Sequence, residues 1–132
     1  MLLDPFVPLE SHVVEAMLTM ADLKAGEKHV DLGSGDGRVV VSALKRGAQS
    51  YGVEIDRELA VKSAAFHGIK ILVQDVFETD VSEADLVTFW FIADGVEQLV
   101  CRLKDHMKAG SRIAYAELIG DRWLPAMLRI ET

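Results

Sequence analysis

The chain has 132 residues, enough for one domain with a single sizeable core. Half of the residues are hydrophobic and 27% are charged, as in an ordinary globular chain, and fourteen Lys plus Arg against twenty-one Asp plus Glu leave a formal net charge of −7. That balance disfavours tight non-specific binding of nucleic acid and would draw in basic, Lys-rich partners. No apolar run approaches the roughly 20 residues of a membrane span, and the first residues carry no basic leader, so a soluble cytoplasmic domain is expected. The lone cysteine, Cys101, forms no internal disulfide. Set in an apolar helical pattern, it is expected to be a buried structural thiol in a reducing compartment.

In chain order, the first ten residues, with Pro5 and Pro8, form an extended arm. Ser11 is placed to cap a helix running to about Leu23, with Val13, Val14, Met17, Met20 and Ala21 on one face. A short strand, His29 to Leu32, leads into glycines, and a helix follows from about Gly37 to Arg46. Gln49 to Ile55 is a second strand, after which Asp56 caps a helix to about Phe66. Ile69 to Val73 is a third strand and Asp85 to Phe91 a fourth, rich in β-prone side chains. Val96, Leu99, Val100, Leu103 and Met107 give the clearest helical stripe, which ends at Ala109-Gly110. Ser111 to Leu118 is a fifth strand, and a weak sixth spans Ala126 to Ile130. Strands alternating with helices imply right-handed crossovers, hence an open, doubly wound, mostly parallel α/β sheet in one domain.

The informative stretch is Asp31-Leu32-Gly33-Ser34-Gly35-Asp36-Gly37-Arg38, which follows a strand and opens a helix. Its glycines permit a tight turn, close approach of backbone to a ligand, and close helix–strand packing. Glu54, at the end of the second strand, stands where a carboxylate takes two ribose hydroxyls. A dinucleotide loop normally has its third glycine three positions after the second. Here the spacing is Gly-x-Gly-x-Gly, and Asp31 would repel a pyrophosphate. The same carboxylate suits a ligand with an ammonium group and no phosphate, such as S-adenosylmethionine.

On these residues the chain resembles the class I S-adenosylmethionine-dependent methyltransferases, whose Rossmann-like fold it is expected to share. The matching residues are Asp31 to Gly37, Glu54 after Tyr51-Gly52-Val53, and Gln74-Asp75-Val76 after the third strand. The resemblance implies a cofactor site of Asp31, Gly33, Ser34, Gly35, Asp36, Gly37, Glu54, Ile55, Asp75 and Val76, with Asp75 reaching the adenine amino group. More narrowly, Pro5-Phe6-Val7-Pro8 and Ser11-His12-Val13-Val14 ahead of that loop resemble the archaeal protein lysine methyltransferases and their mitochondrial relatives. That likeness implies an arm, Phe6 to Pro8, folded over the cofactor.

In this fold the end of the fourth strand faces the transferring methyl, so Thr88 and Trp90 are expected in the acceptor pocket, with Phe89 and Phe91 in the core. Glu117 is a weaker candidate for receiving a lysine ammonium. The Asn/Asp-Pro-Pro-Tyr motif is missing, which disfavours adenine N6 and glutamine amide as acceptors. His12, His29, His67 and His106 are scattered, without the pairing a metal site needs, so no metal is expected. The superfamily's final strand has no counterpart before Thr132. Strand six is therefore expected to pair with strand five, or two subunits to pair there as a homodimer through the exposed sheet edge. Four functions stay open: methylation of protein lysine, methylation of a small molecule or RNA, cofactor binding with little activity, and, least favoured, nicotinamide chemistry.

Overall fold

A computed structural model describes residues 9–90 and 95–131. Chain order runs α1 (Ser11–Met20), β1 (Lys28–Leu32), α2 (Arg38–Lys45), β2 (Gln49–Glu54), α3 (Arg57–His67), β3 (Ile71–Val73), β4 (Leu86–Phe89), α4 (Val96–His106), β5 (Arg112–Ile119) and β6 (Arg122–Arg129). A single 3-10 turn, Val76–Glu78, follows β3. The six strands form one sheet in the order β3-β2-β1-β4-β5-β6. The first five are parallel, and β6 runs antiparallel to β5. This is the doubly wound α/β architecture that the alternation of elements implies.

Side chains of opposite parity on each strand feed two cores. Leu86, Ala114 and Ala116 pack with Val14, Met17 and Leu18 of α1 and Val39 and Ala43 of α2. On the other face Val30, Leu32, Val87, Phe89 and Ile113 pack with Leu99 and Leu103 of α4. Arg112, only 6% exposed, joins β5 to the α1–β1 connection. Its guanidinium donates to the carbonyl oxygens of Ala21 at 2.9 Å and Asp22 at 3.2 Å, and to both Glu27 carboxylate oxygens at 2.8 and 2.7 Å.

Several boundaries differ from the sequence reading. Ser11 is the first helical residue of α1, not its cap; Glu10 takes that place, and its carbonyl accepts from the Val13 and Val14 N–H groups. The helix stops at Met20, because Asp22 swings to a φ of 55° and Leu23 leaves the helical path. Cys101 is exposed, not buried, since α4 buries the Leu99 and Leu103 side and turns Cys101 outward. The weak sixth strand starts four residues earlier than Ala126 and pairs with β5 over eight residues, Arg112↔Arg129 through Ile119↔Arg122. Of the two expectations for the bare edge of β5, the structure takes the first. The proposed Phe6 to Pro8 arm and Phe91 lie outside the described residues.

Candidate cofactor and acceptor site

The site forms where strands end and the chain reverses order, at the carboxyl ends of β1 and β4. Leaving β1, the chain passes through Gly33, Gly35 and Gly37, all at positive φ (77°, 56° and 86°), before α2 begins. The Gly33 and Ser34 N–H groups both donate to the Val53 carbonyl, at 2.8 and 2.9 Å, which seats the loop on β2. The seat requires a second glycine signal outside the loop. A Cβ on Gly52 would meet Ser34 Cβ at 2.5 Å and Ser34 Oγ at 2.6 Å. Ser34 is 5% exposed, and its hydroxyl is buried without a hydrogen-bond partner.

Glu54 closes the second side. Its Oε1 accepts from the Gly35 N–H at 2.9 Å and its Oε2 from the Asp56 N–H at 3.0 Å, so the carboxylate is fixed at the end of β2 next to the loop. Ile55 follows it, 45% exposed, and offers an apolar surface at the rim. After β3, Asp75 caps the 3-10 turn by accepting from the Phe77 N–H at 2.9 Å. Val76 behind it is buried in the core under α4. Asp36 points the other way, into a fork with Arg38, whose Nε donates to both of its oxygens at 3.0 Å. The same Arg38 donates from Nη1 to the Leu9 carbonyl at 2.9 Å. The loop is thereby tied to the root of the N-terminal segment, a link the sequence did not reveal.

Asp31 lies at the centre, 4% exposed. Burial pushes its carboxyl up to about 7 against an ordinary 3.8, opposed by the Thr88 hydrogen bond and reinforced by the negative charges of Glu54 and Asp36. The Thr88 hydroxyl donates to Asp31 Oδ1 at 2.6 Å, and His29 Nε2 lies 2.8 Å from the same hydroxyl. Thr88 is fully buried, so it presents no surface to an acceptor. The structure places it behind Asp31, to which its hydroxyl is directed. Trp90, one turn of the pleat further, is half-buried and packs edge to face with Trp123 of β6, ring centroids 4.6 Å apart. Phe89 is in the core, stacked on Tyr115 at 5.4 Å, and Glu117 is exposed on β5.

The donor set fits a cationic, phosphate-free nucleoside ligand. Asp31, Glu54 and Asp75 present three carboxylates, and the loop's cation, Arg38, is already engaged by Asp36 and Leu9. The family model of the ANTKMT methyltransferase domain matches residues 31–123, from Asp31 through Trp123. The chain belongs to this methyltransferase family.

The methyltransferase is 32% identical to the protein-lysine N-methyltransferase of Saccharolobus islandicus (strain REY15A), across 92% of this chain and 81% of that protein. It is 30% identical to the lysine N-methyltransferase of Mus musculus that is named for the ATP synthase C-subunit, across 92% of this chain, and it spans about half of that longer relative (51%). Among solved structures, an RNA methyltransferase from Salinibacter ruber in complex with S-adenosyl-L-homocysteine superposes with a TM-score of 0.86 at 28% identity. That match covers 95% of this chain and 94% of the other. The cofactor of the methyltransferase is S-adenosylmethionine, and Asp31, the glycine loop, Glu54 and Asp75 are the residues of this chain suited to hold it.

Proposed function

We propose that this methyltransferase transfers a methyl group to the ε-amine of lysine in a protein. The observation that carries the reading is the likeness to protein-lysine N-methyltransferases from an archaeon and a mammal across 92% of the chain. Bound S-adenosylmethionine would supply an electrophilic methyl on a sulfonium. The chain's part is to orient and to exclude water. Asp31 and Glu54 fix the polar ends of the cofactor from rigid strand termini, where packed side chains leave little room to shift. A lysine amine attacks only when neutral, and an apolar wall favours that form by removing water from the ammonium. Trp90, braced by Trp123, is the described aromatic suited to be that wall, and its face would also hold a methylated amine, by roughly 0.5–2 kcal/mol.

A second reading, transfer to RNA, has a specific support in the Salinibacter ruber neighbour. The net charge of −7 opposes it, since phosphate contacts need Lys and Arg. The deciding experiment supplies methyl-labelled S-adenosylmethionine with a Lys-rich protein extract and, separately, with total RNA. Label on lysine, found by hydrolysis, supports the proposal; label on RNA alone ends it. With an acceptor in hand, Trp90→Ala should raise the acceptor KM about tenfold and leave cofactor affinity within about twofold. The reading also includes a cytoplasmic location for the enzyme, which cell fractionation checks.

A further inference from the structure

Four polar side chains lie in a row across the sheet face that otherwise packs against α1 and α2. Asp31 and His29 are two apart on β1 and so share a face; Thr88 is the β4 partner of Asp31, and Ser50 the β2 partner of His29. The contacts are continuous. Ser50 Oγ is 2.7 Å from His29 Nδ1, His29 Nε2 is 2.8 Å from Thr88 Oγ1, and Thr88 Oγ1 is 2.6 Å from Asp31 Oδ1. His29, Thr88 and Asp31 are all buried, and α2 brings Val39, Val40 and Ala43 as its buried side chains.

Counting protons orders the row. A hydroxyl has one hydrogen, and when Asp31 is ionised that hydrogen of Thr88 must point at Oδ1. His29 Nε2 then faces an oxygen lone pair and must carry the ring proton. Nδ1 is left as an acceptor, and Ser50 donates to it. If the proton sits on Asp31 Oδ1 instead, every donor reverses and His29 becomes the Nδ1–H tautomer. Burial holds the ring itself neutral, pushed down to about 3, so the choice is between tautomers and not between charges. The charged groups facing Asp31 are Glu54 from the end of β2 and Asp36 from the loop, and both oppose its ionisation. Thr88 is the described side-chain partner that favours it.

We propose that His29 is a positioning residue for cofactor binding: as the Nε2–H tautomer, with Nδ1 accepting from Ser50, it turns the Thr88 hydroxyl onto Asp31 and keeps that carboxylate ionised toward the cofactor's ammonium. The inference rests on the reading that Asp31 receives this ammonium. It assigns a role to His29 and Ser50, neither of which needs to touch the cofactor.

The test has two parts. Nitrogen-15 spectra of the wild-type protein saturated with S-adenosylmethionine report the His29 tautomer. Nε2–H is expected, and Nδ1–H in a protein that binds overturns the inference while leaving the functional reading intact. Calorimetric affinities from pH 5.5 to 9 are then compared for wild type, Thr88→Val, His29→Phe and the conservative Thr88→Ser. Thr88→Val removes the donor to ionised Asp31, so the midpoint of the pH profile should rise by about one unit, with affinity near pH 7 down about fivefold; His29→Phe keeps the Thr88 hydroxyl but frees it to turn away, and should raise the midpoint in the same direction by less. Thr88→Ser should stay within about threefold of wild type. A loss that is equal at every pH would mean packing alone and would overturn the proposal. Wild-type protein that fails to bind millimolar cofactor would overturn the functional reading and this inference together.

Discussion

Asp31 shows how a binding residue lowers the stability of the chain that carries it. Folded, its carboxyl sits at about 7; in an unfolded chain it returns to 3.8. Between those values the folded state holds a proton that the unfolded state releases. The stabilisation linked to that proton is therefore complete below about pH 4, and it is lost as the pH rises through about 7. Over the part of that window from pH 5.5 to 8, wild-type protein should lose about 2 kcal/mol through this residue. Asp31→Asn keeps the shape and an acceptor for Thr88 but has no charge to bury. Urea unfolding at the two pH values should show the variant nearly flat in this respect and more stable than wild type at pH 8, with cofactor binding lost. A variant that follows the wild-type pH dependence would mean that Asp31 is ionised throughout.

At the scale of elements, the glycine loop is held as much by β2 as by its own glycines. Gly52→Ala puts a methyl onto the Ser34 side chain and must lift the loop from the Val53 carbonyl, so cofactor affinity should fall at least tenfold. Ser34→Gly removes the atoms in the way, and the double variant Ser34→Gly/Gly52→Ala should recover most of the loss. Absence of that recovery in a calorimetric cycle would mean the loop does not depend on this contact. A second tie, Arg112, holds β5 to the α1–β1 connection through Glu27 and two carbonyls; Arg112→Met should cost about 2–4 kcal/mol in urea unfolding, because those acceptors lose their donor. The loop and its acids were legible in the sequence because backbone conformations that need glycine, and strand-end carboxylates, leave a local trace. The row beneath them was not. His29 gains its meaning from Thr88, 59 positions away, and only strand register brings the two together. Cys101 misled for a related reason: the apolar stripe of α4 is real, but the helix buries Leu99 and Leu103 and presents the thiol to solvent.

For the whole molecule the question is what closes the sheet beyond β5. A bare β5 would invite a second copy of the chain, and β6 removes that invitation by covering it along eight residues. The edge on this side of the sheet thereby passes to β6, the three-residue β3 forming the other. The Ile130 N–H donates to the Ser111 carbonyl at 2.8 Å, which sets the phase of the ladder. Counting back by twos, Pro125 opposite Ala116 falls at a position whose nitrogen faces away from β5. Proline has no hydrogen there to donate, so the outward row is interrupted at its middle, between Trp123 and Met127. An edge broken in this way is a poor template for another strand. The chain should therefore run as a single 14.5 kDa species in size-exclusion chromatography with light scattering. Pro125→Val restores the missing donor at a residue with high strand propensity, and should produce a dimer whose fraction grows with concentration. A wild-type dimer, or a variant that stays monomeric at every concentration, would show that something other than Pro125 governs this edge.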